Sequence, residues 1–287
     1  MKKLMVVMHM SGAYAEQTFY KEKKEGWQIC QITCQDIEGT NCYCDDAAKE
    51  SLRERVRPYS YEGIHFLDSG NYHYLSLFWL EKIKEPFSLI LFDHHPDLQA
   101  PSWGGITSCG GWVREALLTN EKLQRVYLVG VDAHLIEDVR AEDEASNKAG
   151  VQMSDATGNT ISAKKLWEKI RIGMPDFLQE KHPIYVSFDK DVLREEDAVC
   201  DWDQGDMTLD EAVEKLQEIR ERADKILGMI SAGRMRAGSR HRGQAPVRSM
   251  TGATGDLWKR WNKHFYLARN TKECAEMHVH ALHKKRK

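Results

Sequence analysis

The sequence predicts an α/β protein with three αβα layers around a mostly parallel central sheet. Two observations carry that prediction. The first is alternation: short β-rich runs and amphipathic segments take turns along the chain. The second is the make-up of the runs themselves. Ser88-Leu89-Ile90-Leu91-Phe92 is almost continuously apolar, as a strand covered on both faces must be. A chain of 287 residues allows one large domain or two small ones, and no internal repeat or linker divides it.

Taken in order, residues 4–9 read as a first strand, and Ser11-Gly12 turns the chain. Residues 16–24 are polar enough for an exposed helix, and 27–33 read as a second strand. After a turn at Gly39-Thr40-Asn41, residues 46–56 form a helix with Asp45 as its N-cap. Strand 64–67 leads to a helix over 73–83, whose apolar face holds Leu75, Leu77, Phe78 and Leu80. A Gly/Pro loop spans 99–105, and a helix is expected over 110–118. Residues 125–131 read as a strand ending in Asp132-Ala133-His134, 136–160 as polar loop, and 162–170 as a helix. Another strand covers 183–188. Thr208, with Glu211 three residues on, forms a capping box for a helix over 209–222, and 225–230 is the last strand.

Hydrophobic residues make up 41% of the chain and charged residues 30%, enough for a sizeable core under a well-solvated surface. The start, with Leu4-Met5-Val6-Val7-Met8 as its apolar run, is too short for a signal peptide, and no stretch reaches the length of a membrane span. The expected compartment is the cytoplasm. The seven cysteines then read as free thiols rather than a disulfide framework, and Cys30, Cys34, Cys42 and Cys44 fit no common zinc spacing. Gly104-Gly105 and Gly110-Gly111 lack the Lys-Ser/Thr ending of a phosphate loop and read as loop flexibility.

Three strand ends concentrate the chemistry. The central run ends in Asp93-His94-His95-Pro96-Asp97, with ligand-type residues two apart that share a face if the chain stays extended. Pro183-Ile184-Tyr185-Val186-Ser187-Phe188 ends in Asp189-Lys190-Asp191. Gly63-Ile64-His65-Phe66-Leu67-Asp68 runs into Ser69-Gly70-Asn71-Tyr72-His73. In open α/β sheets ligands bind at the carboxyl edge. Acidic strand ends also serve as turn formers and helix caps. Three of them in succession, one after a buried apolar strand, favour ligation, because buried charge needs partners. His73, Asp93, His95, Asp97, Asp189 and Asp191 are more ligands than one ion requires and suit two divalent ions such as Mn²⁺.

In Gly70-Asn71-Tyr72-His73, Asp93-His94-His95-Pro96-Asp97 and Ser187-Phe188-Asp189-Lys190-Asp191 the chain resembles the ureohydrolases (arginase, agmatinase, formiminoglutamase) of the arginase/deacetylase fold, over about residues 60 to 230. The resemblance implies two Mn²⁺ per chain, one held by His73, Asp93, Asp97 and Asp189 and the other by His95, Asp93, Asp189 and Asp191. It implies hydrolysis of a guanidinium or amidine C–N bond by a hydroxide bridging the ions, with Asp191 taking the proton from the water. His94 is a candidate for orienting the ligands. Members often assemble as trimers or hexamers, so a homo-oligomer is the implied assembly, with a small guanidino or amidine molecule as substrate. The alternatives are a deacetylase-like amide hydrolase of the same fold, which uses fewer ligands, and a degenerate member that binds metal without turnover.

Two departures stand out. Arginases carry a histidine on the loop after Asp-x-His-x-Asp, and Ile106-Thr107-Ser108-Cys109-Gly110-Gly111-Trp112 has none. Cys109 or His134 is then the expected substitute, with His134 equally readable as an ordinary loop histidine. The loop also lacks the polar pattern arginases use on the α-carboxylate of arginine. Second, these enzymes end the last core strand with an acid, and here Ile226-Leu227-Gly228-Met229-Ile230 gives way to Ser231-Ala232-Gly233-Arg234. From residue 231 onward there are 14 basic and three acidic residues, net +11, against −14 for the rest. We therefore divide the chain into an arginase-like body, 1–230, and a basic segment, 231–287, that is poorly packed and divergent or translated from a shifted frame. Trp258, Trp261, Phe265 and Tyr266 among Lys259, Arg260, Lys263 and Arg269 read as an amphipathic helix in preference to a nucleic-acid surface.

Overall fold

The computed structural model describes residues 2–233 except 16, 18, 22–24, 102–104 and 155–157; the basic segment beyond 233 and its aromatic stretch lie outside the described residues. Eight strands form one parallel sheet: β1 (Lys3–His9), β2 (Trp27–Thr33), β3 (Ile64–Phe66), β4 (Phe87–Phe92), β5 (Leu123–Val129), β6 (Ile170–Ile172), β7 (Ile184–Asp189) and β8 (Ile226–Ala232). Their order is β6-β5-β4-β7-β8-β3-β1-β2. All seven neighbour pairs are parallel, so the mostly parallel sheet expected from sequence is wholly so.

Side chains alternate between two cores, as the two-residue period of a strand dictates. Val6, Met8, Leu89 and Leu91 face one core, where α1 (Asp46–Val56), α2 (Ser76–Leu80), α3 (Trp112–Thr119), α4 (Ala133–Lys148) and α5 (Ala163–Trp167) pack. Met5, Val7, Ile90 and Phe92 face the other, covered by α6 (Leu209–Arg222) with Tyr14, Phe19 and Tyr20. The result is the three-layer αβα architecture. Every residue of β4 and β7 is buried, which explains their lack of polar alternation. Two short antiparallel pairs, Tyr43–Cys44 with Thr107–Ser108 and Met153–Ser154 with Thr160–Ile161, decorate the body.

The caps behave as expected. Asp45 accepts from the Ala48 amide at 2.8 Å. Thr208 and Glu211 close a capping box that starts α6 at Leu209. Elsewhere the structure corrects the sequence reading. The loop expected over 136–160 is largely helix, because α4 occupies Ala133–Lys148 behind an Asp132 N-cap. It buries Ile136, Val139 and Asp143, and most of its other residues (Ala, Leu, Glu, Arg, Lys) are strong helix formers with little apolar periodicity. The helix expected over 16–24 is not seen in its described part, where 19–21 form a turn. Phe19 and Tyr20 are buried there, with the Tyr20 hydroxyl donating to the Tyr14 carbonyl at 2.9 Å.

The helix expected over 73–83 is a 3-10 helix, Gly70–Leu75, followed by α2, with a break at Tyr72 (φ −111°, ψ 15°). The 162–170 helix stops at Trp167, since Ile170 starts edge strand β6. The strand expected over 125–131 lies two residues earlier, and Gly130 (φ +86°) turns the chain out of it. At the far end, β8 continues through Ser231 and Ala232, past the expected boundary at 230. Among the described residues no helix is long and apolar enough to cross a membrane.

Candidate metal centre

β4 and β7 are neighbours, with Phe92 paired to Phe188, so the residues that follow each strand emerge side by side. Asp93 follows β4, and Asp189 closes β7. Just beyond β7, a single 3-10 turn, Lys190–Val192, carries Asp191. The Gly70–Leu75 helix after β3 brings in His73. Asp97 sits in the left-handed region (φ +50°), a conformation aspartate tolerates better than most residues. All six expected ligand residues therefore converge on one carboxyl edge of the sheet, although they come from three strand ends.

His73 Nδ1 lies 3.2 Å from Asp93 Oδ2, 3.1 Å from Asp97 Oδ2 and 3.3 Å from Asp189 Oδ2. His95 Nδ1 lies 3.1 Å from Asp191 Oδ2 and 3.6 Å from Asp93 Oδ1. Among the described residues two sets have donor atoms mutually within 4.8 Å: His73, Asp93 and Asp189, and Asp93, His95 and Asp191. Asp93 is common to both. Asp189 stands in the first set and not in the second. His73, Asp93, Asp97, Asp189 and Asp191 are buried, while His95 is half-exposed and marks the open side.

This packing perturbs every ionisable member. Burial alone would lower both imidazoles, but hydrogen bonds to Asp93 and Asp97 hold His73 well above the usual range. Asp191 and Asp93 likewise bring His95 up to about 11. Burial, then Asp97, raises Asp93, and burial raises Asp97 against the pull of His73. Burial with Asp191 pushes Asp189 up to about 6, and burial with Asp93 pushes Asp191 up to about 6. Four carboxylates crowded in a low-dielectric site demand positive charge, from protons or from cations. Imidazole nitrogen with carboxylate oxygen is a donor set that suits hard or borderline divalent ions, so the residues fit two such ions.

Several supporting contacts were not anticipated from sequence. Ser187 Oγ lies 2.8 Å from His73 Nε2, which leaves Nδ1 for the cluster. Ser187 sits two residues before Asp189 on the same strand face, a spacing that could have flagged it. The Trp112 indole N–H donates to Asp97 Oδ2 at 2.5 Å, and no sequence signal points to that pairing. Backbone amides also tie the acids down: His95 N donates to Asp93 Oδ1 (2.7 Å) and His94 N to Asp191 Oδ1 (3.2 Å). His94 contributes that amide, and its ring lies against His95 with 5.0 Å between centroids.

The two candidate substitutes for the loop histidine fare differently. Cys109 is half-buried, and its thiol is pushed up by burial and then by the Asp97 charge. His134 is the exposed second residue of α4, with its backbone N–H on Asp132 Oδ1, and belongs to neither donor set. Among the described residues Cys30, Cys34, Cys42, Cys44, Cys109 and Cys200 are free thiols. Burial pushes Cys34 and Cys44 up to about 11, which makes them inert packing residues.

The sequence profile of the Arginase family matches residues 10–229. The chain belongs to the arginase family. Members of this family are hydrolases acting on amidino or guanidino C–N bonds. An uncharacterised protein of Thermotoga maritima is 29% identical over 227 residues, covering 79% of this chain and 78% of that protein. Among solved structures, the formimidoylglutamase of Bacillus subtilis superposes with a TM-score of 0.57 at 14% identity, covering 94% of this chain and 87% of its own. The Trypanosoma cruzi formiminoglutamase, solved with Mn²⁺, gives 0.56 at 12% identity and covers 93% of each chain. At such identities the structural likeness is one of fold, and the arginase-family αβα fold is what they share with this chain.

Proposed function

We propose that this arginase-family chain is a binuclear, metal-dependent hydrolase of a linear amidine or guanidinium C–N bond, acting on a small molecule in the cytoplasm. One observation carries the reading: two histidine–carboxylate sets, buried except at His95, share Asp93 at the carboxyl edge of β4 and β7. His73, Asp93, Asp97 and Asp189 would hold one ion, and His95, Asp93, Asp189 and Asp191 the other. Mn²⁺ suits the donor set, and two such ions supply Lewis acidity and an activated water at neutral pH.

The chain's own residues define the rest. Ser187 fixes the His73 ring, and Trp112 fixes the Asp97 carboxylate. Asp191, whose Oδ2 lies 3.1 Å from His95 Nδ1 on the half-exposed side of the cluster, is the acceptor for the proton of the attacking water. Cys109, kept protonated by burial and Asp97, is the proton donor for the departing nitrogen in this reading, with His134 as the alternative. The presence of both His73 and Asp191 in the cluster favours this reading over a deacetylase-like one with fewer ligands.

The test is turnover by Mn²⁺-loaded protein on agmatine, guanidinobutyrate, formiminoglutamate and arginine, read as urea, formamide or ammonia released. Hydrolysis of one or more supports the proposal. A fully loaded protein inert on all four would make it a metal-binding member without this chemistry.

A further inference from the structure

Between the two carboxylates of the β7 end lies a side chain that the proposed chemistry does not use. Lys190 is buried, with 4% of its surface exposed, and it runs away from Asp189 and Asp191 toward β8. Its Nζ donates to the Ala232 carbonyl at 2.7 Å and to the Gly233 carbonyl at 2.8 Å. Two of the three ammonium protons are thereby committed to the last carbonyl of β8 and the one just past it. Burying an ammonium is costly, so its place inside a ligand turn calls for a reason.

Gly233 supplies the second half of the arrangement. Its backbone is left-handed (φ +87°), and a Cβ there would lie 2.5 Å from Asp189 Oδ1, 3.0 Å from the Lys190 amide nitrogen and 3.1 Å from Lys190 Cβ. The backbone just past β8 thus lies close against one oxygen of Asp189. That oxygen also accepts from the Asp191 amide at 3.3 Å, while Oδ2 faces His73 Nδ1 at 3.3 Å. A side chain at 233 would push the carboxylate out of this orientation. Loss of the Lys190 bonds would free β8 from the turn that presents both acids.

We infer that Lys190 and Gly233 are positioning residues of the metal centre: Lys190 pins the Asp189–Asp191 turn from behind, and Gly233 leaves the space in which the Asp189 carboxylate faces His73. This rests on the metal-centre reading above. A merely structural lysine would lower thermal stability and leave ion binding alone. A positioning pair changes the affinity for the two ions, both of which Asp189 would hold.

The experiment is Mn²⁺ titration of the full chain by calorimetry and electron paramagnetic resonance, for wild type, Lys190→Met and Gly233→Ala. Melting of the metal-free proteins is measured alongside. Orienting contacts behind metal ligands are worth about 10- to 100-fold in affinity. Both variants are expected to bind the pair of ions about 10- to 100-fold more weakly than wild type and to lose the exchange-coupled Mn–Mn signal. Gly233→Ala keeps the Lys190 ammonium, crowds Asp189 from the other side and carries the test where Lys190→Met does not fold. Wild-type affinity and coupling in a folded variant would overturn the inference while the metal centre stands. No Mn²⁺ uptake by wild type would overturn both.

Discussion

Loading the centre with metal must expel protons, and the structure sets how many. A histidine ligates through a neutral nitrogen, and in the metal-free cluster both imidazoles hold an extra proton. His95 is raised to about 11 and His73 lies well above its ordinary range. At pH 7.5 uptake of two ions should therefore release about two protons from these two rings. Asp189 and Asp191, each at about 6, are almost fully ionised at that pH. At pH 6.0 each is about half protonated, so release should rise to about three. The combined affinity for the pair should climb about 100-fold per pH unit near neutrality, as two released protons require. Calorimetry in buffers of different ionisation enthalpy measures this directly. His95→Asn should lower the count at pH 7.5 by about one. A release near zero at pH 7.5 would refute the reasoning, because the imidazoles would then enter the complex already neutral or not at all.

Three further outcomes follow from buried contacts. Trp112→Phe removes the indole N–H from Asp97 Oδ2 and should weaken Mn²⁺ binding by about 10-fold or more in a titration, with the fold kept. Arg114 is buried with its guanidinium 2.7 Å from Asp143 Oδ1, so Arg114→Met should cost about 3–5 kcal/mol in urea unfolding by stranding that carboxylate. Burial would raise the Glu180 carboxyl, but hydrogen bonds from Tyr127, His182 and Arg125 hold it at about 2. A carboxyl whose folded pKa is depressed stabilises above its unfolded value, and that stability fades as pH falls toward the folded one. Glu180→Gln should therefore be less stable by about 2 kcal/mol at pH 7, with the difference shrinking between pH 4.5 and 2; an equal loss at pH 3 would contradict the assignment.

What the sequence made legible has a physical pattern. β4 and β7 could be read because strands buried on both faces must be continuously apolar, and because acids at the end of such strands need a partner. α6 could be read to the residue because Thr208 and Glu211 are a local capping device. α4 could not, since its inner face amounts to Ile136, Val139 and Asp143, and Asp132, taken for a strand end, is its cap. The six ligand-type residues were visible because metal sites select residue types that are rare at buried strand ends. Their supports were not. Ser187 reaches His73 across 114 residues, and Lys190 reaches Ala232 across 42. Those contacts exist only once β8 lies between β7 and β3.

A two-ion centre on Asp93 and Asp189 is read out by the metal content of protein purified without chelator and reloaded with Mn²⁺. An Asp93→Ala/Asp189→Ala double variant, with its fold verified, serves as the control. The account predicts about two ions per chain, lost in the control. No bound ion in folded wild-type protein, or the same content in the control, would contradict it and leave the strand-end carboxylates a feature of the fold alone.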